Sequence, residues 1–235
     1  MPADSGGILF YGDPHGEWQN LLRAVADLRP AAIILLGDLD LEVPLRRQLA
    51  GIFAAGVPIA WIHGNHDLGS PEAYDHLWGD HPGGALHVRT MPLGGLRVAG
   101  LGGIFRGRAW FPKHGDEPPR FPSRADFLAA HPSAQAWRDT IFRDDLAGLH
   151  GQRADILVTH EAPTSHSHGF GALDDLARDL GARLVVHGHH HVSYSGMTRD
   201  GIAVRGLGKA EPWLLERDDC RWNHRRSESR DQTKC

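Results

Sequence analysis

The chain of 235 residues is 41% apolar and 23% charged, so it is long enough to bury a core and has an ordinary globular composition. Its formal net charge of −4 argues against a surface built to clamp nucleic acid, and two cysteines are too few for a disulfide framework or a cysteine-rich zinc site. Because the sequence has no signal-like leader and no apolar run as long as a membrane span, we expect a soluble, cytoplasmic domain over residues 1–217 that makes no membrane contact, followed by a polar tail over 218–235.

Five short apolar runs each stop at a glycine or histidine that polar residues follow; they begin at Ile8, Ala31, Val57, Ala154 and Ala182. Short apolar runs bounded by glycine or proline predict strands that are buried on both faces. The segments between the first three runs carry apolar residues at helical spacings, which predicts a βαβαβ order. Since ligands bind beyond the carboxyl ends of the strands in such sheets, the polar residues are expected to meet at one edge.

The middle of the chain has a different composition. Residues 103–133 are rich in proline, arginine and aromatic residues, and we predict an irregular excursion near the strand ends. A helical pattern follows over 131–149. Its inner apolar stripe comprises Ala134, Trp137, Ile141 and Leu146. Four further strands are predicted at Leu86–Arg89, Leu96–Leu101, Val192–Met197 and Ile202–Leu207.

The polar residues at the five strand ends offer nitrogen and oxygen donors but no thiolate. They are Asp13, His15, Asp38, Asn65, His66, His160, His189 and His191. Such donors suit manganese, iron or zinc, and they are too many for one tetrahedral ion. Two ions that share a bridging ligand are a recurrent solution for phosphate ester hydrolysis, and Asp38 is an anionic, bidentate group that fits the bridge.

The ordered set GDPHG, GDLD, GNHD, THEAP and GHHH, within residues 8 to 208, resembles the calcineurin-like metallophosphoesterase family. The resemblance implies an α/β fold, a four-layer αββα sandwich in which helices flank two mixed β-sheets. It also implies two divalent ions, with manganese favoured over iron or zinc. The expected reaction is hydrolysis of a phosphomonoester or phosphodiester by a metal-bound hydroxide at this dinuclear centre.

The resemblance further implies two ligand sets that share one residue. They are Asp13, His15, Asp38 and His191 for one metal, and Asp38, Asn65, His160 and His189 for the other. His66 would bind the scissile phosphate, together with Asn65, and protonate the leaving oxygen. Asp67 would orient the His66 ring and raise its basicity.

Several nearby residues leave two interpretations open. His187 is either a further ligand or a hydrogen-bonded histidine at a strand end, and His190 fills the variable position of the GHHH motif, on the surface or at the rim of the pocket. Asp40 and Glu42 either tune the site or are solvated acids at the start of a helix.

The excursion supplies the candidates for substrate binding, Arg106 and Arg108. Neighbouring basic and aromatic side chains would help them to hold a phosphate and stack a base. These neighbours are Lys113, Arg120, Arg124, Trp110, Phe111 and Phe121. The alternative is a packed, proline-rich loop with solvated arginines. His166 and His168 either line the same pocket or belong to a polar loop.

Two departures from subgroups of the family narrow the expected function. GDLD is not followed by the arginine–glycine pair of the protein serine/threonine phosphatases and diadenosine tetraphosphatases, and GNHD lacks the arginine of the lipid A precursor hydrolases. We expect a small phosphoester or nucleotide as substrate; nucleic acid is possible but not favoured. The alternatives are a nuclease, a cyclic-nucleotide phosphodiesterase or, less favoured, a non-catalytic metal-binding scaffold. The sequence leaves the oligomeric state open.

Overall fold

A computed structural model describes residues 6–132 and 138–216, which fold around two β-sheets. The first sheet has the order β10-β1-β2-β3. Its strands are β1 (Ile8–Gly12), β2 (Ala32–Leu35), β3 (Ile59–Trp61) and β10 (Glu211–Leu215). The first three strands are parallel and β10 pairs antiparallel with β1, so the carboxyl ends of β1, β2 and β3 lie at one edge.

The second sheet has the order β4-β5-β6-β7-β9-β8. Its strands are β4 (Arg89–Leu93), β5 (Leu96–Leu101), β6 (Ile156–Thr159), β7 (Leu184–His187), β8 (Tyr194–Met197) and β9 (Ala203–Gly206). The four inner strands are parallel, and β4 and β8 are antiparallel edge strands. Both sheets are therefore mixed.

Seven α-helices connect or flank the strands in the described ranges. They are α1 (Gln19–Leu28), α2 (Leu45–Gln48), α3 (Ala50–Ala54), α4 (Pro71–Tyr74), α5 (Arg124–Ala130), α6 (Arg143–Ala147) and α7 (Gly171–Leu180). A π-helical turn at Asp75–Gly79 continues α4, and a short 3₁₀ turn covers Pro82–Gly84. Over these same residues, each helix is too short or too polar to cross a bilayer.

Apolar side chains divide the fold into four layers. Between the sheets, Phe10 and Ile34 of the first sheet share a buried cluster with Val158 and Val186 of the second. The outer face of the first sheet packs against α1, α2 and α3, and that of the second packs against α6 and α7. The layers follow the order helix, sheet, sheet, helix, which confirms the predicted αββα sandwich. In it, helices on one side and the other sheet on the opposite side cover the two faces of each sheet.

Several predicted elements differ from the structure. The strand predicted at Leu86–Arg89 begins only at Arg89, since the preceding residues form isolated bridges to β3 and β5. The second predicted crossover helix is broken into α2 and α3, and the excursion contains one helix, α5. In the described part of 131–149 only α6 is helical, because Thr140 pairs with Ile104 in extended conformation. Ala134, Trp137 and the tail over 218–235 lie outside the described residues.

Candidate metal centre

The strand ends bring the predicted donors together at one edge between the two sheets. We call the seven predicted metal ligands the ligand cluster. It comprises Asp13, His15, Asp38, Asn65, His160, His189 and His191. Two glycines allow the loops to approach this closely. A Cβ at Gly188 would lie 2.6 Å from Asp13 Oδ1, and one at Gly64 would lie 2.6 Å from the Asp38 backbone nitrogen, so a larger residue at either position would displace the cluster.

His160 lies at the buried side of the ligand cluster. Its Nδ1 donates to the Leu36 carbonyl at 2.8 Å, which fixes the tautomer and turns Nε2 towards Asp38. The distance from Nε2 to Asp38 Oδ2 is 3.4 Å, and that from Nδ1 to Asp13 Oδ1 is 3.6 Å. Asp38, His160 and His189 each place one donor atom within 4.8 Å of the others, so these three side chains are able to hold one ion.

His15 and His191 lie on the open side of Asp38. The two Nε2 atoms are 3.1 Å apart, and His15 Nε2 is 3.8 Å from Asp38 Oδ2. Asp38 Oδ2 therefore lies within 4 Å of the Nε2 atoms of both His15 and His160. A second group of donor atoms within 4.8 Å of one another is formed by His15, Asp40 and His66, so Asp38 is a candidate bridge between the two groups.

The ligand cluster also contains buried polar atoms that lack a hydrogen-bond partner in the described part of the chain. They are both carboxylate oxygens of Asp13, Asn65 Oδ1 and His160 Nε2. Buried polar atoms in native proteins almost always have a partner, and a bound cation would satisfy all four. The donor set therefore fits hard or borderline divalent metals.

Backbone strain is concentrated in the same loops. Six of the nine non-glycine residues with positive φ, counted over the described ranges, belong to the site. They are Asp13, His15, Asp38, Asp40, His189 and His191, with φ between 36° and 69°. This conformation costs on the order of 1–3 kcal/mol per residue outside glycine, so its clustering here is typical of a functional site.

In the absence of metal, the imidazole of His160 balances the carboxylate charges of Asp38 and Asp13. Burial alone would lower the pKa of this imidazole, but the carboxylates of Asp38 and Asp13 raise it to about 10. The same pairing, against the opposing effect of burial, holds the pKa of Asp38 below its ordinary range. Burial raises the pKa of Asp13 to about 6. Since metal ligands bind in their deprotonated form, a divalent cation would take the place of the His160 proton.

His66 lies beside the ligand cluster, with its side chain 51% exposed. The carboxylate next to its ring is that of Asp40, with Oδ1 3.6 Å from His66 Nδ1. The other oxygen of Asp40 accepts a hydrogen bond from His15 Nδ1 at 2.8 Å. Of the two open interpretations, the structure favours Asp40 as a residue that tunes the site, because it links a predicted metal ligand with the predicted acid.

Asp67 has a different function from the one expected. Its carboxylate is buried and accepts backbone N–H groups of Asp38 at 2.8 Å, Leu39 at 2.7 Å and Gly64 at 2.7 Å. Burial and the neighbouring Asp38 charge raise the pKa of Asp67 to about 6. The prediction that Asp67 orients the His66 ring therefore needs correction: Asp67 ties the loop after β2 to the loop after β3.

The two remaining histidines of the HGHHH stretch, His187 and His190, lie in different environments. His187 is buried at the end of β7, where Nδ1 donates to the Gly188 carbonyl and Nε2 accepts from the Tyr194 hydroxyl, at 2.9 and 2.8 Å. It is the hydrogen-bonded strand-end residue. His190 stacks on His166 with ring centroids 4.0 Å apart, at the rim next to His189.

The substrate-binding candidates of the excursion, Arg106 and Arg108, have different surroundings. The Arg106 guanidinium pairs with Asp139 at 2.5 Å, and Arg108 is exposed. Trp110 is buried, and its indole donates to the Glu117 carbonyl at 2.7 Å. This part of the excursion is thus a packed loop, and the stacking of a base on Trp110 is excluded by its burial.

Sequence reasoning missed two buried polar residues. Glu161, in the THEAP motif, accepts from the Phe105 backbone N–H at 3.1 Å, and its Oε2 is 3.9 Å from His189 Nε2. His63, directly before the GNHD motif, is buried with its ring 4.7 Å from that of His87. Their position within or beside the strand-end motifs was the available signal.

The sequence of the chain is similar to those of known proteins. The model of the family described as calcineurin-like phosphoesterase matches residues 7–193. An uncharacterized protein of Haemophilus influenzae is 36% identical over 229 residues, covering 91% of this chain and 99% of that protein.

Solved structures resemble the chain more distantly. The protein TT1561 of Thermus thermophilus superimposes with a TM-score of 0.53 at 19% identity, over 88% of this chain and 90% of that one. A dimetal phosphatase from Danio rerio gives a TM-score of 0.48 at 13% identity, over 81% and 76% of the two chains. At such identities the first likeness establishes the fold and leaves the substrate open.

Proposed function

The chain belongs to the calcineurin-like phosphoesterase family, and we propose that it is a phosphoesterase that hydrolyses a small organic phosphate at the ligand cluster. The observation that carries this proposal is the convergence of Asp38, His160 and His189 on one point, next to buried oxygens of Asp13 that lack a partner in the described ranges. Asp38 Oδ1 accepts a hydrogen bond from the His66 backbone N–H at 3.0 Å, whereas Oδ2 lies near the Nε2 atoms of His160 and His15 and is the oxygen that would face a cation.

Two metal ions would be held by the two predicted ligand sets that share Asp38. When bound, such ions polarise the phosphoryl group and lower the pKa of water, and manganese suits the mixture of carboxylate, amide and imidazole donors. Asp13 and Asp38 supply the negative charge that makes the site selective for cations. Burial of Asp13 and His160 keeps competing water away from one side of the site.

His66 would act as the proton donor to the leaving oxygen. Its Nδ1 faces Asp40, so that Nε2 is left to reach the substrate. A general acid must present an N–H to the leaving oxygen, and the Asp40 carboxylate, 3.6 Å from Nδ1, lies on the opposite side of the ring from Nε2. The exposed side chain of His66 leaves room for a phosphoester to approach.

A panel of chromogenic esters tests the proposal. The chain should turn over p-nitrophenyl phosphate or bis(p-nitrophenyl) phosphate, lose this activity to EDTA and recover it with Mn²⁺. Elemental analysis should find two ions per chain in the active protein. Full activity with one tightly held ion would contradict the dinuclear centre, and two bound ions without turnover of either ester would contradict the phosphoesterase.

A further inference from the structure

A cavity of about 260 Å³ lies next to His66, outside the ligand cluster. We call it the side cavity. Its lining consists of Asp40, Leu41, His66, Asp67, Ala73 and Leu77. The lining combines the polar side chains of Asp40, His66 and Asp67 with the apolar side chains of Leu41, Ala73 and Leu77. A cavity with such a mixed lining suits a ligand that has both an apolar and a polar part.

The walls of the side cavity are held in place by contacts of their own. His76 Nδ1 donates to the Leu41 carbonyl at 3.0 Å and so joins the loop after β2 to the turn after α4. Leu77 is buried in the core of the first sheet. The neighbouring Trp78 packs edge-on against Trp61 at 4.9 Å. The side cavity is therefore a preformed part of the fold, and binding there requires little ordering of the protein.

The segment that closes the side cavity is a π-helical turn, Asp75–Gly79, which continues α4. Turns of this kind are rare and occur frequently at functional sites. Here the turn places Leu77 towards the cavity wall while Trp78 remains packed on β3. The backbone geometry thus contributes directly to the shape of the wall.

We propose that the side cavity binds the organic part of the phosphoester and so determines which substrate is hydrolysed; this inference rests on the proposed function. In the reaction the oxygen of water bonds to phosphorus, the ester P–O bond breaks, and the departing oxygen takes a proton from His66; the water loses one proton to solvent, and His66 regains one from solvent. The departing alcohol or phenol is thereby released beside His66, where the side cavity begins.

The apolar part of the lining indicates the class of substrate. At about 260 Å³, the side cavity has room for an aromatic ring or a short apolar chain against Leu41, Ala73 and Leu77. The inference therefore favours phosphoesters with an apolar leaving group.

Filling the side cavity tests this inference. Ala73→Phe adds a ring to the wall while the Ser70 cap on the Ala73 backbone N–H is unchanged. We expect kcat/KM for phenyl phosphate to fall about 10- to 100-fold and that for glycerol 2-phosphate to fall less than about threefold. Ala125→Phe, an exposed position on α5, is the matched control and should leave both values unchanged. Equal losses for both esters in Ala73→Phe would overturn the inference.

Enlarging the side cavity gives the reciprocal test. Leu41→Ala should raise kcat/KM for 1-naphthyl phosphate relative to phenyl phosphate, by about three- to tenfold, because the second ring gains room. An unchanged ratio in a folded variant would contradict the assignment of Leu41 to the wall.

Direct binding separates failure of the inference from failure of the proposed function. Calorimetry with Mn²⁺-loaded protein should give tighter binding of phenylphosphonate than of methylphosphonate, and Ala73→Phe should abolish the difference. Selective binding without turnover of any ester would refute the phosphoesterase and leave the side cavity as a ligand site. Equal binding of the two phosphonates would refute the side cavity, whatever the activity.

Discussion

The ligand cluster and the excursion both contain many polar side chains, but they differ in how the protein satisfies them. In the ligand cluster, both oxygens of Asp13 and Nε2 of His160 are buried without a hydrogen-bond partner in the described part of the chain. In the excursion, Arg106 is paired with Asp139, and Lys113 donates to the Ser167 carbonyl. Asp139 Oδ1, beside the excursion, also lacks a partner in the described ranges, but the ligand cluster gathers several such atoms from different strand ends at one point, which indicates a ligand. Substitutions in the two regions should therefore have different consequences.

Asp38→Asn should have the largest effect. Neutralising the shared carboxylate weakens both ligand sets, so the protein should lose both ions. We expect kcat/KM to fall by more than the roughly 10- to 100-fold that changes in outer-shell partners cost. Metal analysis and steady-state kinetics measure these losses, and Asp116→Asn, an exposed acid of the excursion, should behave as wild type. Two retained ions with a normal kcat would contradict the bridging assignment.

His66→Ala should separate catalysis from metal binding. Loss of a general acid typically costs about 10²- to 10⁴-fold, so kcat should fall by this amount while two ions remain bound. The loss should be smaller for nitrophenyl esters, whose leaving group needs little protonation, than for alkyl esters. His114→Ala, an exposed histidine of the excursion, is the matched control. Equal losses for both kinds of ester, or loss of an ion, would move His66 out of the acid role.

Asp40→Asn should have an intermediate effect, because Asp40 contacts one predicted ligand and the predicted acid. We expect kcat/KM to fall about 10- to 100-fold. Glu42→Gln, an exposed acid two residues away, controls for surface charge. An unchanged kcat/KM in Asp40→Asn, with two ions bound, would contradict the assignment of Asp40 to the site.

Chelator-treated protein should become less stable as the pH rises. The folded pKa of His160 is about 10 against an ordinary value of 6.5, so its stabilising contribution is complete below pH 6.5 and is lost as the pH rises through about 10. Urea titrations across this range should show a falling free energy of unfolding. Added Mn²⁺ should stabilise more strongly at the higher pH, because the ligands then bind without proton competition. Asp38→Asn should flatten the metal-free profile; a profile that is already flat in the unmodified protein would contradict the pairing.

The residues of this site that could be predicted from the sequence are those that directly follow a strand along the chain. β1, β2, β3, β6 and β7 are short apolar runs, and their parallel order places the following residues at one edge. The eight candidate donors, including His66, could therefore be named from the residues, whereas their division into metal ligands and a catalytic histidine came from the family resemblance.

Other features depended on contacts between distant segments. Asp40 lies 25 positions from His15 in the sequence, and only the fold brings the two side chains together. The sequence predicted that Asp67 orients the ring of the adjacent His66. In the structure the Asp67 carboxylate instead accepts backbone N–H groups, mainly from the loop after β2. β10 escaped prediction because Pro212 lies within it; an edge position tolerates proline, and β10 is an edge strand.

One omission had a local signal. Leu173, Leu176, Ala177 and Leu180 of α7 repeat at helical spacing, and Gly181 ends the helix in the left-handed conformation that glycine favours. The loop before α7, which contains His166 and His168, was interpreted only as a pocket lining or a polar loop. The periodicity alone was sufficient to predict this helix.

The smallest effect on catalysis is expected in the excursion, where Arg106 and Arg108 provide a matched pair. Arg106 is one-third exposed and holds the buried carboxylate of Asp139, so Arg106→Ala should lower the free energy of unfolding by about 1–3 kcal/mol. Arg108→Ala should change stability by less than about 0.5 kcal/mol, because the side chain is exposed. Both variants should keep two ions and kcat within about threefold of the unmodified protein, since Arg106 is held by the ion pair with Asp139 and Arg108 is exposed. Urea denaturation and kinetics on the same preparations measure both quantities. A rise in KM of about tenfold or more in either variant, with stability unchanged, would restore that arginine to substrate binding and remove the contrast between the two regions.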